Sequence, residues 1–120
     1  FSELSEILRN GRLSDGDNMT LKDYHQLIDE LNKFKLTFEN KLSEFDCIIT
    51  PSALGEALKG LEFTGSAQLN TTWTLLGYPA ITLPLFTGKN NMPVGCQLVT
   101  KKTNDDLLLS ISKRILKEFS

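Results

Sequence analysis

Residues 63–100, FTGSAQLNTTWTLLGYPAITLPLFTGKNNMPVGCQLVT, decide how this chain folds. Lys89 is the only charged residue in the stretch. Charged side chains are almost never fully buried without a partner, so a long tract lacking them is expected to form a domain interior. Its grammar is that of core elements in series. Gly65-Ser66 precedes a helix over 67–76, and Gly77 follows as the left-handed residue that closes a helix. Tyr78-Pro79 opens an apolar strand over 80–85, and Gly88 to Pro93 holds the turn formers. Val94 to Thr100 pairs back as a second strand. The charged residues outside the tract are expected to form the solvated shell.

Working outward, the segment before the tract supplies one more strand and one long helix. Asp46-Cys47-Ile48-Ile49-Thr50 ends at Pro51, and its uncharged run without alternation predicts a strand covered on both faces. Pro51 cannot continue a central ladder, so the chain is expected to leave the sheet there. Residues 52–62 contain Gly55 and Gly60 and read as a loop with one short helical turn. Upstream, Leu21, Tyr24, Ile28, Leu31, Phe34, Phe38, Leu42 and Phe45 recur every three or four residues. That spacing predicts an amphipathic helix over 20–45, with Thr20 and Asp23 as its capping box. His25 lies beside this stripe without a second His or a Cys, so it reads as structural. A shorter helix is predicted over 2–10, and Ser14-Asp15-Gly16-Asp17-Asn18 reads as a turn that lacks the later ligands of a calcium loop. After the tract, Thr103 and Asp106 bracket a last helix over 104–119, with Leu108, Ile111, Ile115 and Phe119 on its apolar face.

These elements predict an α/β fold: a small mixed β-sheet of about three strands, flanked by helices. Strand 46–50, helix 67–76 and strand 80–85 form a parallel crossover in this reading, with strand 94–99 antiparallel to 80–85. At 120 residues the chain suits one domain spanning 1–120. The net charge is −2 and no basic patch interleaves with aromatics, which argues against a nucleic-acid partner. Cys47 and Cys96 are isolated in strand patterns and read as buried thiols, in keeping with a reducing, cytoplasmic setting. No apolar run reaches the length of a membrane span. The chain opens at Phe1 within a helical pattern, which suggests a fragment; a processed N-terminus is the alternative.

Neither a nucleophile elbow, nor a P-loop, nor a dinucleotide fingerprint, nor a zinc pattern can be assembled from these residues. No cofactor or metal is therefore expected. The order of the punctuation residues says more. Asp46 to Ser52, then Thr64-Gly65 through Asn70, Trp73, Gly77, Pro79 and Pro84, then Met92-Pro93-Val94-Gly95-Cys96-Gln97, resembles the C-terminal part of amidase signature enzymes. The matched blocks cover about half the chain, and the flanking helices, including the Asp105-Asp106 start of the last one, are also similar to the family's.

The resemblance implies a hydrolase of amide C–N bonds that uses a Ser–Ser–Lys triad and backbone N–H groups around the oxyanion. Those parts belong to a Gly/Ser-rich block, upstream in the family, that this sequence does not contain, so no catalytic residue is assigned and the chain alone is expected to be inactive. In the family, the loop leaving the Thr-Pro strand and the start of the next helix shape the acyl side of the substrate pocket. That carries over to Thr50, Pro51 and Ser52, and more loosely to Gly65, Asn70 and Trp73. Each has a plainer role available: a strand end for Pro51, backbone hydrogen bonding for Asn70, core packing for Trp73. Glutamine-using tRNA amidotransferases of the family carry an acidic residue where an ungapped alignment places Ala67, which points instead to a general amidase or to the amidase portion of an allophanate-type hydrolase. The other reading is a free-standing binding or assembly domain. Either way, an exposed sheet edge or helix face is expected to drive self-association. A small amide is expected to be a substrate only in the intact enzyme.

Overall fold

A computed structural model describes residues 16–61 and 63–119. The helix expected over 2–10 lies outside the described residues. The chain divides into two compact units, 1–38 and 39–120, with the boundary inside the first long helix.

That helix, α1, runs Leu21–Leu42. Its start is the capping box read from the sequence: Asp23 N donates to Thr20 Oγ1 at 3.2 Å, and Thr20 N donates to Asp23 Oδ2 at 3.2 Å. Two amide donors that the first helical turn leaves unpaired are thereby satisfied. Further along, the Phe34 and Phe38 rings stack with centroids 5.6 Å apart, as neighbours one helical turn apart can. His25 is exposed, with its ring 6.0 Å from that of Tyr24.

The second unit holds β1 (Ile48–Pro51), α2 (Gln68–Leu76), β2 (Ala80–Thr87), β3 (Pro93–Val99) and α3 (Asp105–Phe119). The three strands form one sheet in the order β1-β3-β2, and both pairings are antiparallel. The strand count matches the sequence reading and α3 covers one face of the sheet as expected, but the directly paired parallel crossover does not hold. β1 and β2 run the same way, and β3 lies between them, as in a split β-α-β unit. The prolines supply the reason. Pro51 ends β1 and Pro84 interrupts β2, and a residue without an N–H is tolerated only at sheet edges or bulges. β3 is free of proline from Val94 to Val99, so it can bond on both sides and takes the centre.

Two details differ from expectation for the same reason. Pro51 does not leave the sheet; it is the last residue of edge strand β1, opposite Cys96. β1 is also not covered on both faces, since Ile49 is 62% exposed. Around Pro84 the β2–β3 register shifts between Leu83 and Phe86, a bulge that absorbs the missing donor.

β3 is accordingly the most buried element, with Leu98, Val99 and the following Thr100 fully enclosed. Leu83 and Leu98 on one face of the sheet pack with Leu108 of α3, joined by Ile81, Leu85, Cys96, Ile111 and Ile115. Burying such side chains stabilises the fold by roughly 1.5–3 kcal/mol each. α3 begins one residue later than its expected cap. Asn104 accepts the first helical hydrogen bond through its carbonyl, from Leu108 N at 3.0 Å. Thr103 instead adopts φ 68°, a left-handed conformation that is costly for a β-branched residue. Asp105 and Asp106 occupy the first turn, where negative charge complements the helix dipole.

At the other end of α2, Gly77 closes the helix in the left-handed region with φ 70° and ψ 36°. Tyr78 N donates to Trp73 O at 3.0 Å and Gly77 N to Thr74 O at 3.2 Å, the paired bonds of a Schellman motif. This turn aims the chain straight into β2. Thr100 N donates back to Pro79 O at 3.2 Å, which fastens the end of β3 to the start of β2.

Candidate functional site

The face of the sheet opposite α3 carries small and polar residues: Thr50 on β1, Gln97 and Gly95 on β3, Thr82 on β2. Thr50, Gln97 and Thr82 lie in register across the three strands. β-strand alternation puts them on the side away from Leu83 and Leu98. Over this face the loop leaving β1 and the loop entering α2 rise as two walls. Between them is an open groove of about 1060 Å³.

The floor of the groove is Thr82, Pro84, Val94 and Gly95. One wall is Ser52 to Lys59, and the other is Phe63 to Ser66. The β2–β3 turn, through Gly88, Lys89 and Asn90, forms the rim. Leu54 and Leu58 on the first wall and Phe63 on the second are more than half exposed, so the surface offered to a ligand is largely apolar.

Two sets of hydrogen bonds hold the first wall. At its base, Ser52 N donates to Gly95 O at 3.1 Å, and Asn70 Nδ2 donates to Ser52 O at 3.1 Å. Gly95 permits this approach: a Cβ there would lie 2.1 Å from Ser52 Oγ and 2.4 Å from Thr82 Cγ2. Higher up, the Glu56 carboxylate accepts Asn90 N at 2.9 Å and 3.1 Å, one bond to each oxygen, and Asn90 Nδ2 at 2.7 Å. Gly88 makes room for that carboxylate, because a Cβ there would fall 1.7 Å from Glu56 Oε1.

The residues singled out from the sequence divide between the groove and its support. Ser52 and Gly65 line it directly. Thr50 and Asn70 stand behind it, joined through Gln97: Thr50 Oγ1 donates to Gln97 Oε1 at 3.1 Å, and Gln97 Nε2 donates to Asn70 Oδ1 at 2.5 Å. Pro51 is exposed at the strand end, and Trp73 is half-buried on α2; neither lines the groove. Ala67 is outside the lining as well, and its carbonyl starts α2 by accepting Asn70 N at 2.9 Å and Thr71 N at 3.0 Å. Sequence reasoning missed Glu56, Asn90 and Gln97. Gly88 and Gly95, a turn glycine and a strand glycine, were the available signals for the close approaches that define the walls.

Two groups outside the groove titrate above their ordinary values, with burial the first cause of both. The Cys47 thiol lies above the ordinary value of 9.0, first because burial disfavours the thiolate, then because of the charges at Asp46 and Cys96. Burial, with the Glu39 carboxylate second, likewise raises the Tyr78 phenol. Both cysteines are free thiols. Among the described residues there is no cluster of His, Cys, Asp and Glu that could hold a metal, and no helix long and apolar enough to cross a membrane.

The family profile described as Amidase matches residues 3–109. A glutamyl-tRNA(Gln) amidotransferase chain of Borrelia garinii subsp. bavariensis is 32% identical over 120 residues, covering 93% of this chain and 24% of the relative. Its human mitochondrial counterpart is 28% identical over 124 residues, covering 91% of this chain and 23% of its own length. Among solved structures, 6-aminohexanoate cyclic dimer hydrolase complexed with substrate superposes with a TM-score of 0.66 at 24% identity. That match covers 86% of this chain and 26% of the hydrolase and is a likeness of fold. The chain spans about a quarter of the length of the curated relatives it matches.

Proposed function

The chain belongs to the amidase family, and from that premise we propose that residues 1–120 act as one domain, the C-terminal portion of an amide hydrolase, and form one wall of its substrate pocket. The carrying observation is the groove over the polar face of the sheet, with Ser52 on its wall and Thr50 and Asn70 bound behind it. In this reading Ser52 lines the acyl side of the pocket, Thr50 and Asn70 back it, and Pro51 and Trp73 support it from the strand end and from α2 without lining the groove. The Ser–Ser–Lys triad comes from a Gly/Ser-rich block that this sequence lacks. The substrate is an amide held by the apolar walls, and no nucleic acid is involved in its recognition. The free thiols of Cys47 and Cys96 suit a reducing, cytoplasmic setting.

A simple aliphatic amide, hexanamide, tests the proposal on the chain as it stands. Chemical-shift perturbation of the isotope-labelled chain is expected at Ser52, Gly65, Thr82 and Gly95, without turnover. Turnover that is lost only on substituting a Ser or Lys of this chain would overturn the assignment of the triad elsewhere. Absence of perturbation at saturating amide would overturn the pocket role itself.

Self-association forms part of the same proposal. β1 and β2 are the two edges of the described sheet, and Ile49 on β1 and Phe86 on β2 are 62% and 56% exposed. Unpaired edges with apolar side chains favour strand pairing between copies. Sedimentation is expected to show a dimer or larger species that dissociates on dilution, and a monomer at high concentration would refute it.

A further inference from the structure

We propose that Gln97 is a positioning residue for the groove, setting the wall at Ser52 through a one-way relay of side-chain amides. The geometry stands by itself; its consequence for ligand binding rests on the pocket reading above. Gln97 is 3% exposed at the centre of β3. A buried primary amide must satisfy both of its ends, because an unpaired donor or acceptor there carries its full desolvation penalty.

The polarity of the relay is set at its far end. The Ser52 carbonyl can only accept, so Asn70 must turn Nδ2 toward it, as observed at 3.1 Å. Asn70 Oδ1 therefore faces Gln97, which must present Nε2, as observed at 2.5 Å. That leaves Gln97 Oε1 pointing at Thr50, whose hydroxyl can donate or accept and here donates at 3.1 Å. Reversing either amide would oppose two acceptors or two donors. Since Ser52 N is held by Gly95 O, both backbone groups of the first wall residue are fixed from β3, one directly and one through the relay. Gln97 touches nothing in the groove, yet the wall position depends on which way its amide points.

Substitutions that keep the shape and change the donor pattern separate this role from packing. Gln97→Met removes both polar ends, and Asn70→Ala cuts the relay without disturbing the sheet. Gln97→Glu is the informative variant. Protonated, the introduced carboxyl donates its O–H to Asn70 and still accepts from Thr50, both of them neutral partners. Ionised, it can only accept, which forces Asn70 to turn and set Oδ1 against the Ser52 carbonyl.

The readouts are amide exchange at Ser52 and the Asn70 side-chain resonances in the labelled full chain. With Leu98 and Val99 amides still protected, Gln97→Met and Asn70→Ala are expected to speed Ser52 exchange about tenfold, the scale of one lost hydrogen bond. Gln97→Glu should, after correction for intrinsic exchange, match the wild type in acid and the Met variant in base. Unchanged Ser52 exchange in the folded Asn70→Ala chain would overturn the relay, as would a Gln97→Glu chain that follows the wild type at every pH. Hexanamide titration of the same samples judges the pocket separately. If the wild type fails to bind it while the exchange pattern holds, the pocket reading falls and the positioning role remains.

Discussion

Gly95→Ala is the substitution that most directly probes how the groove wall sits on the sheet. Gly95 does not have a positive φ, so the added methyl meets no intrinsic backbone strain, and any cost arises from contact. The new Cβ would lie 2.1 Å from Ser52 Oγ, 2.4 Å from Thr82 Cγ2 and 3.2 Å from Ser52 Cβ. Ser52 can rotate its hydroxyl away, but its Cβ cannot retreat without stretching the Ser52 N to Gly95 O bond of 3.1 Å. Thr82 is β-branched and stiff, and turning it replaces one clash with another. Overpacking of this kind costs about 1–3 kcal/mol. The reduced freedom of the unfolded chain returns roughly 0.4–1 kcal/mol, because alanine loses less entropy than glycine on folding.

The net expectation is destabilisation by about 1–2 kcal/mol, with the wall displaced from the floor. Urea unfolding of the full chain should show a midpoint lowered by roughly 1 M at unchanged slope, for a slope of about 1–2 kcal/mol per M. Adding Ser52→Gly and Thr82→Ser to Gly95→Ala removes the three clashing atoms and should recover most of the loss, after allowing for the cost of those changes alone. A midpoint unaltered by Gly95→Ala would refute the reasoning. So would a loss that the compensating pair leaves untouched.

Three further outcomes follow from local conformation and titration. Gly77→Ala places a Cβ in the left-handed region at φ 70° and is expected to cost about 1 kcal/mol in thermal or urea unfolding, with Gly77→Asn costing less. Thr103→Gly relieves a β-branched residue held at φ 68° and should raise stability by about 1 kcal/mol; a lowered melting temperature would show that Thr103 contributes more than its strain removes. The raised Cys47 thiol should react slowly with a thiol reagent at pH 8, its rate rising only beyond the ordinary thiol range. Because the folded thiol holds its proton more tightly than the unfolded one, its contribution to stability is complete below pH 9.0 and is lost as pH rises through the higher folded value. Cys47→Ser should flatten that part of an alkaline stability profile.

Much of the fold was legible because it follows from local rules. The α1 capping box needs only Thr20 and Asp23 three residues apart, and the end of α2 needs only a glycine where the chain must turn left-handed. The low-charge tract did contain most of the core, from Leu76 and Tyr78 through Leu83 to Thr100. It was not buried throughout: Phe63 and Leu75 are 61% and 57% exposed, and the Phe63 side lines a groove rather than an interior. Freedom from charge marks apolar environment, which a binding wall shares with a core.

Strand order was also within reach of the sequence, since Pro51 and Pro84 mark their strands as edges and leave β3 for the centre. Propensity and spacing favoured a direct parallel pair instead, and the hydrogen-bonding requirement of the middle position overruled it.

What the sequence determined by itself was therefore the described strands and long helices, the capping box of α1, the glycine end of α2 and the family to which their order belongs. The groove was decided only by tertiary structure. Glu56 and Asn90 are 34 residues apart, Ser52 and Asn70 are 18 apart, and Thr50 and Gln97 are 47 apart. No local propensity selects such pairs. They form because the sheet brings three strands into register, because two glycines leave room for close approach, and because a buried amide at Gln97 must find partners at both of its ends.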